Sequence, residues 1–216
     1  MRMTFPFLSF SPDIAHSFLL RAEGVPVDVG REEAVARLRS WHEEETARLG
    51  FRPRSLRLAE QVHGAEVAEV SEASPVLSSG ADGLVTSTRG LALGIYVADC
   101  AAVYLADKHG RAVGLVHSGK KGSELGIVPK ALRLMQERFG VLAADVLVQL
   151  SPCIRPPRYE IDFAAQIRGS CLAAGVLPEH FADCGLCTGS DLQRFYSYRM
   201  ELGRTGRMLA LLGWPS

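Results

Sequence analysis

Short apolar runs separated by Gly, Asp or Ser fill the middle of the chain. Residues 55–62, 65–70, 83–88, 91–98, 102–106 and 112–117 are apolar or alternating over strand-like lengths and predict a block of strands. Residues 107–110, Asp-Lys-His-Gly, read as a hairpin turn. Ahead of this block, Val35, Leu38, Trp41 and Leu49 recur on one helical face and predict a helix over 32–49. Glu43, Glu44 and Glu45 turn toward solvent, and Gly50 stops the helix. Helical periodicity returns over 127–139, with Gly140 as the stop, and over 163–174. A strand is predicted at 145–150 and a closing strand at 207–214. Asp191 can cap a final helix running to about Leu202. Strands in a block followed by helices mixed with strands predict a mixed α/β (α+β) fold, with layered sheets covered by helices in a single domain over 1–216.

Composition narrows the function classes. Apolar residues make up 47% of the 216 positions, enough for a packed core. Twenty-four basic side chains balance twenty-four acidic ones, so no general attraction to nucleic acid or anionic lipid is expected. No apolar run is long enough to span a bilayer. The first twenty residues resemble a signal peptide only superficially: Pro6, Pro12, Asp13 and His16 interrupt them and no small-residue cleavage site follows. The cytoplasm is the expected compartment. The five cysteines, Cys100, Cys153, Cys171, Cys184 and Cys187, read as reduced thiols or metal ligands.

Candidate chemistry gathers in three segments that place a coordinating side chain at the end of an apolar strand. They are Gln61-Val62-His63-Gly64, Ala98-Asp99-Cys100 and Val116-His117-Ser118-Gly119, and the glycines after His63 and His117 suit sharp turns. Two imidazoles and one thiolate suit Zn²⁺, and three protein ligands leave the open position of a catalytic site. Asp99 is placed to orient a ligand or handle protons. The spacing itself matches no local ligand motif, and a Cys at a strand end also serves as a small hydrophobe. His₂Cys describes blue-copper sites as well, but Met135, Met200 and Met208 fall in other elements, and six histidines are too few for a multicopper centre. Copper is therefore the lesser expectation. Cys184-Gly185-Leu186-Cys187 is a CxxC without a second pair. Lys120 and Lys121 read either as anion contacts or as a solvated basic turn, and Arg199, Arg204 and Arg207 as either anion-binding or solubilising. Cys100 and His117 also admit a metal-free nucleophile and base hydrolysing an amide, such as a cell-wall precursor.

Several of these segments together resemble the YfiH-like family, also labelled the multicopper polyphenol oxidoreductase (laccase) domain, peptidoglycan editing factor or purine nucleoside phosphorylase family. The resemblance is carried by Gln61-Val62-His63-Gly64, Ala81-Asp82-Gly83-Leu84-Val85-Thr86, Ala98-Asp99-Cys100, Val116-His117-Ser118-Gly119, Pro152-Cys153-Ile154 with Tyr159-Glu160, Asp183-Cys184 with Cys187, Phe195-Tyr196-Ser197-Tyr198-Arg199 and Thr205-Gly206-Arg207. It implies a fold similar to the deamidating toxins and YfiH-like cysteine hydrolases, and zinc on His63, Cys100 and His117. It also implies phosphorolysis of adenosine, inosine or methylthioadenosine, and deamination of adenosine. The expected partners are small molecules, a nucleoside and phosphate. Arg21, Gln61, Lys120, Lys121 and Arg199 become candidate substrate contacts, and Asp99 and Glu160 candidate catalytic groups beside Cys100 and His117. This chain departs from the family in reading Ser118-Gly119-Lys120-Lys121-Gly122 where Ala-Gly-Trp-Arg-Gly is usual. Met200 replaces a second arginine, and the N-terminal loop is shortened. Those departures leave room for a member that binds a ligand without turning it over.

Overall fold

The computed structural model describes residues 1–215. In chain order the elements are β1 (Arg2–Met3), β2 (Ala15–Leu19), α1 (Arg31–Arg37), α2 (Arg39–Arg48), β3 (Leu56–Ala59), β4 (Val67–Glu69), β5 (Leu77–Ser78) and β6 (Gly83–Thr86). There follow β7 (Ala92–Val97), β8 (Ala101–Asp107), β9 (Val113–Ser118), α3 (Lys120–Glu124), α4 (Ile127–Phe139), β10 (Val146–Leu150), α5 (Phe163–Ala173), β11 (Phe181–Asp183) and β12 (Met208–Gly213). They form two six-stranded mixed sheets, ordered β1-β2-β12-β7-β3-β5 and β11-β10-β8-β9-β6-β4. The expected fold class is the observed one. No helix among the described residues is long and apolar enough to cross a membrane.

Strand alternation decides which way each side chain packs. In β12, Met208, Ala210 and Leu212 point into the core between the sheets, while Leu209 and Leu211 face outward under Trp41 and Leu49. In β8, Ala102, Tyr104 and Ala106 face the same core, and Ala101, Val103 and Leu105 face α4 and α5. Both faces of the central strands are therefore covered, which is why they read as near-continuous apolar runs. Ile127, Ala131, Leu132 and Met135 supply the apolar stripe of α4, and Gly140 ends it in the left-handed conformation at φ 65°. Asp162 caps α5 by accepting the Ala165 N–H at 2.9 Å.

Several sequence expectations are corrected. The helix expected over 32–49 is two helices, because its apolar residues have two targets. Ala34 and Leu38 pack into the core between the sheets, whereas Trp41 and Leu49 cover the outer face. Glu45 is not on the solvent side. It is 3% exposed, and Arg48 grips its carboxylate through two hydrogen bonds of 2.7 Å. Residues 191–202 form successive turns instead of a helix. The Glu201 carboxylate accepts the Ser197 N–H and the Thr205 hydroxyl, which folds the segment around that one side chain. The strand expected at 207–214 is present as β12 and lies in mid-sheet, between β2 and β7. Lys120 and Lys121, read either as anion contacts or as a solvated basic turn, form the first turn of α3 and are exposed.

One buried group makes stability pH-dependent. His42 is 3% exposed, its Nε2 has no partner among the described residues, and burial pulls its pKa down to about 4. An unfolded chain protonates this ring near pH 6.5. Its contribution is therefore fully present above that pH and is lost as pH falls toward about 4, where the folded state also takes up the proton. Urea denaturation of wild type and His42→Gln is expected to show the wild type losing up to about 3 kcal/mol more across this window. Parallel stability curves contradict the assignment.

Candidate metal centre

The centre forms where the two sheets bring four chain segments to one edge. His117 is the penultimate residue of β9 and Cys100 immediately precedes β8, so hairpin pairing sets Ala102 against His117 and Ala101 against Ser118. His63 lies in the loop after β3, and so only His117 sits within a strand. The donor atoms of His63, Cys100 and His117 all lie within 4.8 Å of one another. The two rings are edge to face at 4.9 Å. His117 is buried, Cys100 half-buried and His63 exposed, so the cluster opens on the His63 side.

Asp82, the residue before β6, holds this arrangement. Its carboxylate is fully buried and accepts the His117 Nδ1–H at 2.8 Å. It also accepts the backbone N–H groups of Val62 (3.2 Å), His63 (3.0 Å) and Gly64 (2.7 Å). One side chain thus fixes the His117 ring and pins the loop that carries His63. With Nδ1 engaged, His117 presents Nε2 to the cluster. The signal for Asp82 in the sequence is a lone acid directly before an entirely buried strand.

The glycines after the histidines both lie at bends, as expected, and also allow close approach. Positive φ falls on Gln61 (64°), His63 (59°) and Asp99 (85°). A Cβ at Gly119 would collide with Cys100 Sγ, and one at Gly64 would stand 3.3 Å from the Asp82 carboxylate. Gln61 is held by reciprocal bonds to the backbone of Tyr96, its Nε2 donating to the carbonyl and its Oε1 accepting the N–H.

The remaining candidates are distributed unevenly. Asp99 touches neither histidine: its carboxylate accepts the Thr188 hydroxyl (2.7 Å) and the Arg199 N–H (2.7 Å), tying two loops to the chain beside Cys100. Arg199 pairs with Glu160 at 2.9 Å on the exposed rim. Lys120 and Lys121 are exposed, adjoining Cys100 through Gly119. Arg21 stacks on Tyr196 at 4.4 Å and bonds Glu201 and the Phe195 carbonyl, so its guanidinium is engaged in holding the C-terminal turns. A groove of about 1620 Å³ runs from Arg31 and Glu60 over Leu56, Leu58 and Leu77, beside the His63 loop but outside the cluster.

The charges are coupled. Burial raises the Cys100 thiol, but hydrogen bonds and attraction from His117 and His63 outweigh it and bring it down to about 6. Burial lowers His117, and the Asp82 carboxylate and the Cys100 sulfur outweigh that and raise it to about 9. In metal-free protein the sulfur is therefore expected to be thiolate above about pH 6 and thiol below. Ultraviolet titration of the thiolate checks this, and a midpoint near 9 contradicts it. Asp82→Asn is expected to keep the fold and weaken metal retention by about 10–100-fold, read by chelator competition. Unchanged retention removes Asp82 from its assigned role.

Comparison with known proteins places this geometry among relatives. Purine nucleoside phosphorylase YlmD of Geobacillus stearothermophilus is 29% identical over 71% of this chain and 70% of its own. The purine nucleoside phosphorylase of Deinococcus radiodurans is 32% identical over 99% and 96%. The crystal structure of YlmD superposes with a TM-score of 0.83 at 24% identity, covering 96% of this chain and 94% of that one. The hypothetical protein YfiH of Bacillus licheniformis gives 0.78 at 20% identity, covering 93% and 92%. The family described as multi-copper polyphenol oxidoreductase laccase matches over residues 27–168 and 158–215. On that match this chain belongs to the multi-copper polyphenol oxidoreductase laccase family, the YfiH-like proteins.

Proposed function

We propose that this chain is a zinc enzyme acting on purine nucleosides, cleaving adenosine, inosine or methylthioadenosine with phosphate and deaminating adenosine. The observation that carries the reading is the convergence of His63, Cys100 and His117 within 4.8 Å, with its open side at the exposed histidine. Relatives named purine nucleoside phosphorylase support an enzyme of that class. The donor set fits zinc: two imidazoles, one sulfur already biased toward thiolate, and three ligands in all. Among the described residues no second cluster of donors accompanies it, which fits a multicopper centre poorly. When bound, zinc supplies Lewis acidity and a fixed positive charge on the open side.

The chain's own groups do the positioning. Asp82 holds both histidines, and Asp99 holds the backbone of Arg199 and the Thr188 hydroxyl beside the centre. Gln61 fixes the His63 loop to β7. Arg21 braces the 195–201 turns, which carry Arg199. Lys120, Lys121 and Arg199 supply positive charge at the rim for an approaching anion. In phosphorolysis a phosphate oxygen bonds to C1′ as the bond from C1′ to N9 breaks. The purine leaves with the electron pair and takes up a proton from solvent, and Glu160, paired with Arg199 on the rim, is the candidate group to relay it. In deamination water adds at C6 and ammonia leaves. The five free cysteines fit a reducing compartment, the cytoplasm.

Metal analysis combined with product assays tests the reading. One zinc ion per chain is expected, with phosphate-dependent release of free base from adenosine and inosine, and with inosine formed from adenosine. Cys100→Ala and His63→Ala are expected to lose both zinc and turnover. Zinc without turnover rejects the nucleoside assignment and leaves the centre standing. Amide hydrolysis that persists after complete zinc removal supports instead a Cys100 thiolate nucleophile with His117 as its base, a reading favoured by the depressed thiol.

A further inference from the structure

Arg207 stands at the entry to β12 with no ion-pair partner among the described residues. It is 9% exposed. Its Nη1 donates to the carbonyls of Thr205 (2.8 Å) and Gly206 (2.9 Å), its own chain neighbours. Its Nε and Nη2 have no protein acceptor among the described residues, and neither is sealed from solvent. Arg57 is the instructive contrast. At 6% exposure it is buried as deeply, but backbone carbonyls of Ser71, Arg54, Leu56 and Glu72 accept from Nε, Nη1 and Nη2. Arg57 is satisfied by its own protein, whereas Arg207 keeps one edge of its guanidinium for something else. A buried charge without a partner is costly, so such an edge calls for an anion.

Sheet register shows where that edge lies. Met208 of β12 pairs with Val97 of β7, so Arg207 flanks the chain as it leaves β7 for Asp99 and Cys100. On the other flank of β7, Gln61 clasps Tyr96 and fixes the His63 loop. Arg31 donates to the carbonyls of Glu60 (3.0 Å) and Gln61 (3.4 Å) in that loop and makes no ion pair among the described residues. Its charge reaches Arg207: burial first and Arg31 second disfavour the Arg207 cation, with Tyr198, Asp99 and Cys100 offsetting part of this. The Tyr198 ring lies 5.8 Å from the Arg207 guanidinium carbon. Two arginines without carboxylate partners among the described residues thus stand on either side of the strand end that leads to Cys100.

We propose that Arg207, with Arg31 opposite, forms a binding subsite for a phosphate oxyanion beside the His63, Cys100 and His117 centre. The Nε–Nη2 edge of a guanidinium matches two oxygens of such an anion side by side. The exposed Lys120 and Lys121 and the Glu160-paired Arg199 then serve approach, and Arg207 serves seating. The subsite rests on the nucleoside reading only for the anion's role as co-substrate. Its binding chemistry is shared by inorganic phosphate and by the phosphate group of a nucleoside monophosphate.

Calorimetric titration of the metal-loaded protein with inorganic phosphate and, separately, with adenosine monophosphate tests this. Wild type is expected to bind at least one of them at millimolar concentration or below. Arg207→Gln should weaken that binding about tenfold or more. Arg31→Gln should weaken it by a smaller factor, and Arg204→Gln, an exposed arginine bonded to Asp28, should leave it unchanged. Where turnover is measurable, the KM for phosphate rises in Arg207→Gln while the KM for nucleoside stays. Binding by the nucleotide alone supports the subsite and assigns the phosphate to a nucleotide. Loss of phosphate binding in Arg207→Gln with no nucleoside turnover in wild type supports the subsite while the nucleoside reading falls. Wild-type binding in a folded Arg207→Gln, or no binding of either anion by wild type, overturns the proposal. If Arg207→Gln fails to fold, unchanged binding in Arg31→Gln overturns it.

Discussion

The buried carboxylate of Asp82 is the point to which the rest of the centre is referred. Four N–H groups converge on it, three from the backbone of residues 62–64 and one from the His117 ring. A carboxylate so placed stays ionised despite burial, because burial alone would raise its pKa and these donors lower it. The consequence is geometric as well as electrostatic. A loop on one sheet and a strand on the other are bound to one group, so the two imidazoles cannot drift apart without breaking several charge-assisted bonds.

Cys100 reaches the same place by a different route. It lies in the short crossing from β7 in the first sheet to β8 in the second, and Gly119 packs against its sulfur where any side chain would collide. The strained Asp99 beside it is over-determined by Thr188, the Arg199 N–H and a hydrogen bond from the Ile154 N–H to its carbonyl (2.8 Å). Three of the six non-glycine residues with positive φ among the described residues, Gln61, His63 and Asp99, fall in the two loops that carry ligands. The sandwich supplies the rigid support: β8 and β12 are buried on both faces, leaving little freedom at the strand ends that border the centre.

Much of the fold was legible because burial and periodicity coincide. The helix at Ile127–Phe139 carries a clear apolar stripe between two left-handed glycines, and the central strands are apolar on both faces. Where side chains overrode the local pattern, the reading failed. Glu201 gathers residues 197–205 into turns, and Leu38 diverts one expected helix into two. Strands β1 and β2 were not anticipated, since residues 1–20 mix prolines and polar groups with the apolar ones and reveal their pairing only through β12. The three candidate metal ligands could be named from their segments and from the family resemblance, but no local spacing joins them. Asp82 and Arg207 stood in segments the sequence singled out, Arg207 as one of three arginines read as anion-binding or solubilising, but their particular roles lie in their partners. One gathers amides distant in sequence, and the other lacks what a buried arginine ordinarily has.

X-ray absorption at the zinc edge of the purified protein measures the central claim directly, because it reads the ligand atoms and not the consequences of binding. Two imidazole nitrogens at about 2.0–2.1 Å and one sulfur at about 2.3 Å are expected, with a further light atom completing four-coordination. Replacing Cys100 should remove the sulfur shell. A zinc shell without sulfur, or a sulfur shell that survives Cys100→Ala, would contradict the centre built on His63, Cys100 and His117.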